Sequence, residues 1–400
     1  MKFSILATAS LLVASASAEV YFKEQFNDEG WKDRWTVPTD WRSAAELGEW
    51  TKTAGEYYAD AKDTGIQTGP DARFHGISAK MNKTFNSSEG KDIVIQYSVK
   101  NEQSIDCGGA YIKLLPGGDK FDSAKFGGDT PYGIMFGPDI CGSNKRTHVI
   151  LHSEDKGEGL LIKKDIPCET DVFSHLYTLV VRPDNTFEVF VDNKSVRKGK
   201  LEDEFDFLEE KEIKDPDVTK PTDWVDVKKI PDPEDVKPEG QDDIPSEIPD
   251  PDVTKPDDWD DEDDGDWEPP MIDNPDYKGP WSPKMIDNPD YKGPWIHPMV
   301  PNPDYKYNDK MYAVCPDGCS HVGFELWQVK SGTVFDDIIV TDSLEEAQKF
   351  AEETFFKKKG GEKEMHDKAM AEKEGDEDED DFDMGMDDDD DDEYDMGDEF

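Results

Sequence analysis

The chain is short of positive charge, of cysteine and histidine, and of long apolar runs. Its 400 residues carry 45 Lys and Arg against 95 Asp and Glu, a formal net charge of −50. Such acidity repels nucleic-acid phosphates and anionic lipid headgroups, which argues against partners of either kind. What it attracts is cations. Past the N-terminus no stretch reaches the ~18 apolar residues of a membrane helix, so no membrane span is expected. The seven histidines fall in no metal-ligand or triad pattern. The five cysteines, Cys107, Cys141, Cys168, Cys315 and Cys319, are an odd number, so at least one thiol is left over even in an oxidising lumen.

What is present begins with an export signal. Lys2, the apolar run containing Phe3, Ile5, Leu6, Leu11, Leu12 and Val13, and the small residues Ala16-Ser17-Ala18 read as a signal peptide over residues 1–18. Asn-x-Ser/Thr sites at Asn82, Asn86 and Asn193 agree with that compartment.

Residues 19–207 alternate like short strands, as in Ile93–Val99, His148–Leu151, Leu176–Val181 and Phe187–Val191. Turn residues such as Pro183-Asp184-Asn185 and Asp192-Asn193 separate them, which predicts an antiparallel β-sandwich. Residues 208–307 change character: proline, aspartate and tryptophan dominate, and no apolar period survives to build a core. Two units repeat there. One begins at Ile213, Ile230 and Ile248, the other at Trp267, Trp281 and Trp295. Copies of one followed by copies of the other predict an extended proline-rich hairpin arm. Its tip falls around Trp259, Asp260, Glu262, Asp264 and Trp267. Residues 308–342 return to strand-like alternation. Ser343, with Glu346 three residues on, predicts a capping box for a C-terminal helix over 343–373. The tail, 374–400, is roughly two-thirds Asp and Glu and is expected to stay disordered.

The aromatic and polar residues flanked by glycine, Tyr111, Lys113, Tyr132 and Asp139, suit a sugar: rings for C–H faces, charged and phenolic groups for hydroxyls. A Cys107–Cys141 disulfide would draw them together. A core aromatic pair beside a structural disulfide explains the same residues equally well. Enzyme chemistry finds less support. Glu188 and Asp192 share a strand face, but about 13 Å apart, where retaining glycosidase chemistry needs about 5 Å.

The motifs Tyr21-Phe22-Lys23-Glu24-Gln25-Phe26, Ile134-Met135-Phe136-Gly137-Pro138-Asp139-Ile140-Cys141 and Leu326-Trp327-Gln328-Val329-Lys330-Ser331-Gly332-Thr333, with both proline-rich repeats, closely resemble the calreticulin and calnexin family of endoplasmic reticulum lectin chaperones. The resemblance covers essentially the whole mature chain. It implies a legume-lectin-like sandwich, the arm and the acidic tail. It implies binding of monoglucosylated high-mannose glycans through Tyr111, Lys113, Tyr132, Asp139, Glu325 and Trp327, with Met135 and Ile150 lining the site; the family usually has Asp at position 325. Calcium is the implied cofactor. One structural site uses backbone carbonyls of Gln25, Lys62 and Thr64 (lysine in the family) with the carboxylate of Asp336, and a loose, high-capacity array includes Asp387, Asp388, Asp389, Asp390, Asp391 and Asp392. Unfolded polypeptides, glucosylated glycoproteins and, at the arm tip, a protein disulfide isomerase are the implied partners of a monomer in the endoplasmic reticulum lumen. The terminal Gly397-Asp398-Glu399-Phe400 departs from the usual Asp-Glu-Leu retrieval ending, which leaves secretion open. Calcium storage with a lapsed lectin site is the rival reading. Cys315 and Cys319 are unusual for the family. A local disulfide is expected, since a thioredoxin-like redox pair has two intervening residues rather than three. Cys168 is then the free thiol.

Overall fold

The computed structural model describes residues 18–259 and 265–383, with side chains described as far as 373. The expected signal peptide, the tip residues Asp260, Glu262 and Asp264, and the tail carboxylates Asp387 to Asp392 lie outside them. Residues 210–305 form one compact unit and the flanking segments another.

The flanking segments build two antiparallel sheets. Five strands position most of the candidate site residues: β1 (Ile112–Pro116), β2 (Ile134–Cys141), β3 (Asn144–Ser153), β4 (Cys319–Gln328) and β5 (Thr333–Thr341). Among the described residues the first sheet runs Lys194–Lys200, Thr186–Val191, Ser174–Val181, Ile93–Asn101, β5, Gly65–Gly69 and Glu49–Thr53, with Val20–Glu24 also pairing β5. The second runs Glu158–Leu161, β3, β2, Cys107–Gly109, β4, Arg73–Phe85 and Trp35–Thr36, with β1 between β2 and β4. Both central positions, β4 and β5, come from the far side of the proline-rich segment. The sandwich is therefore closed only when the chain returns.

Between the sheets lie Trp35, Trp50, Tyr97, Phe136, Phe324 and Phe335, all buried. The Tyr97 hydroxyl satisfies itself inside this core against the carbonyls of Ala110 (2.7 Å) and Phe136 (3.0 Å). That leaves no room at Gly137, where a Cβ would sit 1.7 Å from the hydroxyl and φ is +133°. Only glycine fits there, and it tucks β2 against the core between Met135 and Asp139.

The first sheet is buried on its outer side as well. Val94, Val180, Phe190 and Ile339 pack under Ala347 and Phe350 of helix α1 (Leu344–Glu353), while Leu176 packs with Ala351 and Phe355. The helix expected over 343–373 is in fact two. The chain breaks at Thr354 (φ −122°, ψ −88°), and α2 (Phe355–Asp383) continues into the segment expected to be disordered. The Glu, Lys, Ala and Met of that stretch are good helix formers. The expected capping box is half made. The Ser343 hydroxyl accepts the Glu346 N–H at 3.2 Å, but the Ser343 N–H turns to the hydroxyl of Thr341.

In the other unit the repeats pair in reverse order: Glu212–Lys214 with Met299–Pro301, Lys229–Pro231 with Met285–Asp287, and Glu247–Pro249 with Met271–Asp273. Each rung centres on an apolar pair, Ile213 with Val300, Ile230 with Ile286, and Ile248 with Ile272. An asparagine amide reaches across at each level, Asn274 to Pro245 O, Asn288 to Val227 O and Asn302 to Glu210 O, at 2.8–3.0 Å. Trp259 is exposed, and its indole N–H bonds Gly265 O at 2.8 Å.

Candidate functional site

On the outer face of the second sheet, register lines up the expected sugar residues. Lys113 pairs with Met135, and Met135 with Ile150, in one row across β1, β2 and β3. Gly323 of β4 pairs with Lys113 from the other side. Because side chains alternate, Glu325 and Trp327 share that face with Gly323, and Asp139 shares it with Met135. Gly323 lets the Phe126 ring pack against the strand, since a Cβ there would lie 2.8 Å from that ring.

Lys113 is buried, and its ammonium bonds the Glu325 carboxylate at 2.7 Å. It also lies 5.1 Å from the Tyr132 ring centre. Tyr111 stands in the break between Cys107–Gly109 and β1 and stacks at 6.1 Å on His148. Burial, then the nearby charges of Glu325 and Asp139, push the Tyr111 phenol well above its ordinary pKa. Burial, then Glu325, also raise the pKa of Tyr132. Both phenols remain neutral donors at neutral pH. Trp327 is the exposed member, tilted against Phe74 with ring centres 4.7 Å apart. A fixed ammonium–carboxylate pair between two phenols and an indole matches the polar and apolar demands of a sugar ring.

The Cys107–Cys141 disulfide ties the neighbouring strands together at the end where Gly109 pairs with Asp139. Cys315 and Cys319 are also joined, and both are buried. A Cβ at Gly133, next to Tyr132, would fall 2.5 Å from the Cys315 sulfur, so this second bridge packs on the backbone that carries Tyr132. Cys168 is free, and burial raises its thiol pKa to about 11, which keeps it protonated.

Sequence reasoning missed two residues here. His148 sits between Tyr111 and Asp139, with Nε2 3.4 Å from the Asp139 carboxylate and 3.0 Å from the Arg146 donor. Burial lowers its pKa despite Asp139. Its place on β3, two residues before Ile150, was the available signal. Phe74 backs Trp327 from the adjacent strand, which only the β4 pairing reveals. The glycosidase candidates are engaged elsewhere: Glu188 with Arg182 and Ser195, Asp192 with His175 and Lys359.

The expected calcium residues lie on the other sheet. Loops 25–27 and 60–64 are joined by Asn27 Nδ2 to Asp63 Oδ1 (3.1 Å), Thr64 N to Asn27 Oδ1 (2.7 Å) and Thr64 Oγ1 to Phe26 O (2.8 Å). Asp336 reaches them through Lys358 of α2, whose ammonium lies 2.5 Å from Asp336, 2.8 Å from Asp63 and 2.9 Å from Asp337. Asp336 Oδ1 is buried with no donor. A buried carboxylate oxygen without a donor is a hard ligand of the kind calcium takes, so Asp336 fits that ion. Burial, then the charge of Asp337, drive the Asp336 carboxyl well above the ordinary range. Burial opposes the charge on Lys358, but the carboxylates outweigh it and raise its pKa. A second cluster, Glu169, Asp171 and His175, brings three ligand atoms within 4.8 Å of one another. There the imidazole is already held between Asp171 (2.8 Å) and Asp192 (3.0 Å).

Comparison with known proteins agrees on one family. The calreticulin family model matches residues 22–264 and 262–340. A calreticulin of Chlamydomonas reinhardtii is 55% identical over 371 residues, 92% of this chain and 87% of that protein. One of Caenorhabditis elegans is 52% identical over 359 residues, 90% and 88% of the two chains. The solved T. cruzi calreticulin globular domain superposes with a TM-score of 0.59 at 31% identity, covering 88% of this chain and 99% of that one. Among the described residues no helix is long and apolar enough to cross a membrane.

Proposed function

Since the chain belongs to the calreticulin family, we propose that it is a lectin chaperone of the endoplasmic reticulum lumen. It holds monoglucosylated high-mannose glycans on the outer face of its second sheet and buffers calcium with its acidic tail. The observation that carries this reading is the Lys113–Glu325 pair at 2.7 Å, framed by Tyr111, Tyr132 and Trp327 on one sheet face. In the bound complex the ammonium donates to sugar hydroxyls, Glu325 and Asp139 accept from them, and Trp327 covers an apolar ring face. Met135 and Ile150 form the floor. Calcium at Gln25, Lys62, Thr64 and Asp336 supplies positive charge that ties two loops to β5. The exposed Trp259, with Trp267, suits an aromatic contact to a disulfide isomerase at the turn of the repeats. Non-native polypeptides are the further clients.

Titration of the full chain with monoglucosylated and unglucosylated high-mannose glycan tests the lectin reading. Wild type is expected to prefer the glucosylated form. Tyr111→Ala is expected to lose roughly 100-fold in affinity, as for an aromatic hot spot. Equal binding of both glycans, unaltered in the variant, would leave calcium storage as the function.

A further inference from the structure

The cluster around Lys358 does not balance. Three carboxylates, Asp63, Asp336 and Asp337, face one ammonium. Asp337 is fully buried, and neither of its oxygens has a hydrogen-bond donor; its 2.9 Å approach to Lys358 is a contact of charge without bonding geometry. With Asp336 Oδ1, three buried carboxylate oxygens lack a donor. Three carboxylates around one ammonium leave the cluster short of positive charge, which burial makes unfavourable, and a divalent cation supplies what is missing.

The backbone is bent to make this cluster. Successive residues of a strand face opposite sides of the sheet, so Asp336 and Asp337 would ordinarily point apart. A bulge in the pairing of β5 with Ile93–Asn101 falls between Asp336 and Ile339, and Asp337 adopts φ +52°. That left-handed conformation is unfavourable for most side chains but tolerated by Asp and Asn. The bulge turns both carboxylates towards α2. Next to Asp336 a cavity of about 40 Å³, whose polar lining includes Asp63, Ser98, Lys100, Asp336, Lys358 and Glu362, has room for a single ion.

We infer that Asp337 and Asp63 complete the divalent-cation site at Asp336, and that Lys358 contributes its third positive charge, so that ion binding and the seating of α2 on the first sheet reinforce one another. The inference rests on the calcium reading of Asp336. It adds a coupling: the ion's two charges and the ammonium together neutralise three carboxylates, and removing either weakens the hold on the other. Asp337 Oδ1 and Asp336 Oδ1 would be the oxygens free to hold the ion, while Asp336 Oδ2 and Asp337 Oδ2 lie against Lys358.

Hydrogen exchange on the full chain tests it, with and without about 0.1 mM calcium, below the millimolar range of loose carboxylate sites. Calcium is expected to slow exchange at least tenfold both in β5 and in the first turns of α2, residues 355–362. Lys358→Met should weaken the β5 effect and lose the α2 effect. Asp337→Asn, which fits the same backbone, should raise the calcium-free melting temperature and shrink the rise that calcium produces. Faster exchange in α2 on adding calcium would mean that the ion displaces Lys358, and would overturn the coupling. An undiminished calcium response in Asp337→Asn would remove Asp337 from the site. Asp336→Asn separates the premise from the inference. If that variant responds to calcium like wild type, the calcium reading of Asp336 fails. If it loses the β5 response while wild-type α2 never responds, only the coupling fails.

Discussion

The two outer faces of the sandwich both bury a lysine against carboxylates, and they do it differently. On the second sheet Lys113 meets a single carboxylate, Glu325, at the foot of an open aromatic surface. On the first sheet Lys358 meets three under a pair of helices. The first arrangement is neutral and keeps its polar groups close to solvent, as a site for an uncharged sugar requires. The second carries excess negative charge in a covered place, as a site for a cation requires. On the proposed reading one fold separates its two ligand chemistries by sheet face, with the aromatic core between them.

The largest expected effect breaks the cover on the cation face. Phe350 is buried between α1 and the first sheet. Phe350→Ala is expected to cost about 3–5 kcal/mol of stability, the usual loss for an aromatic-sized core deletion, measured by urea denaturation. Glycan affinity at native conditions should be unchanged. A parallel loss of glycan binding would show that the faces are not independent.

A pH series sharpens the comparison on the same face. Burial opposes protonation of His175, but the carboxylates of Asp192 and Asp171 outweigh it and raise its pKa. Its contribution is therefore complete below the unfolded value of about 6.5 and is lost as pH rises through the higher folded value. Burial also resists ionisation of Asp192, yet bonds from His175, Lys359 and the Leu176 N–H hold it at about 2. That contribution is present above the unfolded carboxylate value and is lost as pH falls through about 2. The denaturation midpoint is expected to fall on both sides of the acidic range. Replacing His175 with Asn should flatten the alkaline side. Tyr111 and Tyr132 stay neutral throughout, so glycan affinity should follow neither limb.

The sandwich was legible because its strands alternate and its turns are punctuated. Asp192 and Asn193, read as a turn, take φ +50° and +58° between two paired strands. The continuous apolar run Ile93-Val94-Ile95 was a sign that the first sheet is covered on both faces, since Val94 packs outward under α1. The polar contacts were harder to read. That Asp337 joins Asp336 depends on a bulge, and a one-residue irregularity leaves no periodic trace in sequence. Lys358 lies on a helix whose facing partners are distant in the chain, and His148 acquires meaning only from its stacking on Tyr111. The disulfides are formed between the cysteines expected to pair, leaving Cys168 free.

The smallest expected effect lies at Glu325, where the chain departs from the family's usual aspartate. The longer side chain lets the carboxylate reach the Lys113 ammonium at 2.7 Å, so in the free protein the two satisfy each other. A glycan hydroxyl must then compete with an existing bond. In Glu325→Asp the carboxylate withdraws by one methylene while Lys113 stays fixed by its burial. The ammonium is then less satisfied before binding, and a sugar hydroxyl fills the gap. Glycan affinity should rise by a factor of about 2–5, roughly the worth of one modest hydrogen bond, with the preference for the glucosylated form unchanged. Calorimetric titration would show it. A tenfold loss instead would mean that the length of Glu325 is fitted to its bond with the sugar and outweighs its pairing with Lys113, and the neutral pair on this face would then be a consequence of the glycan site rather than its framework.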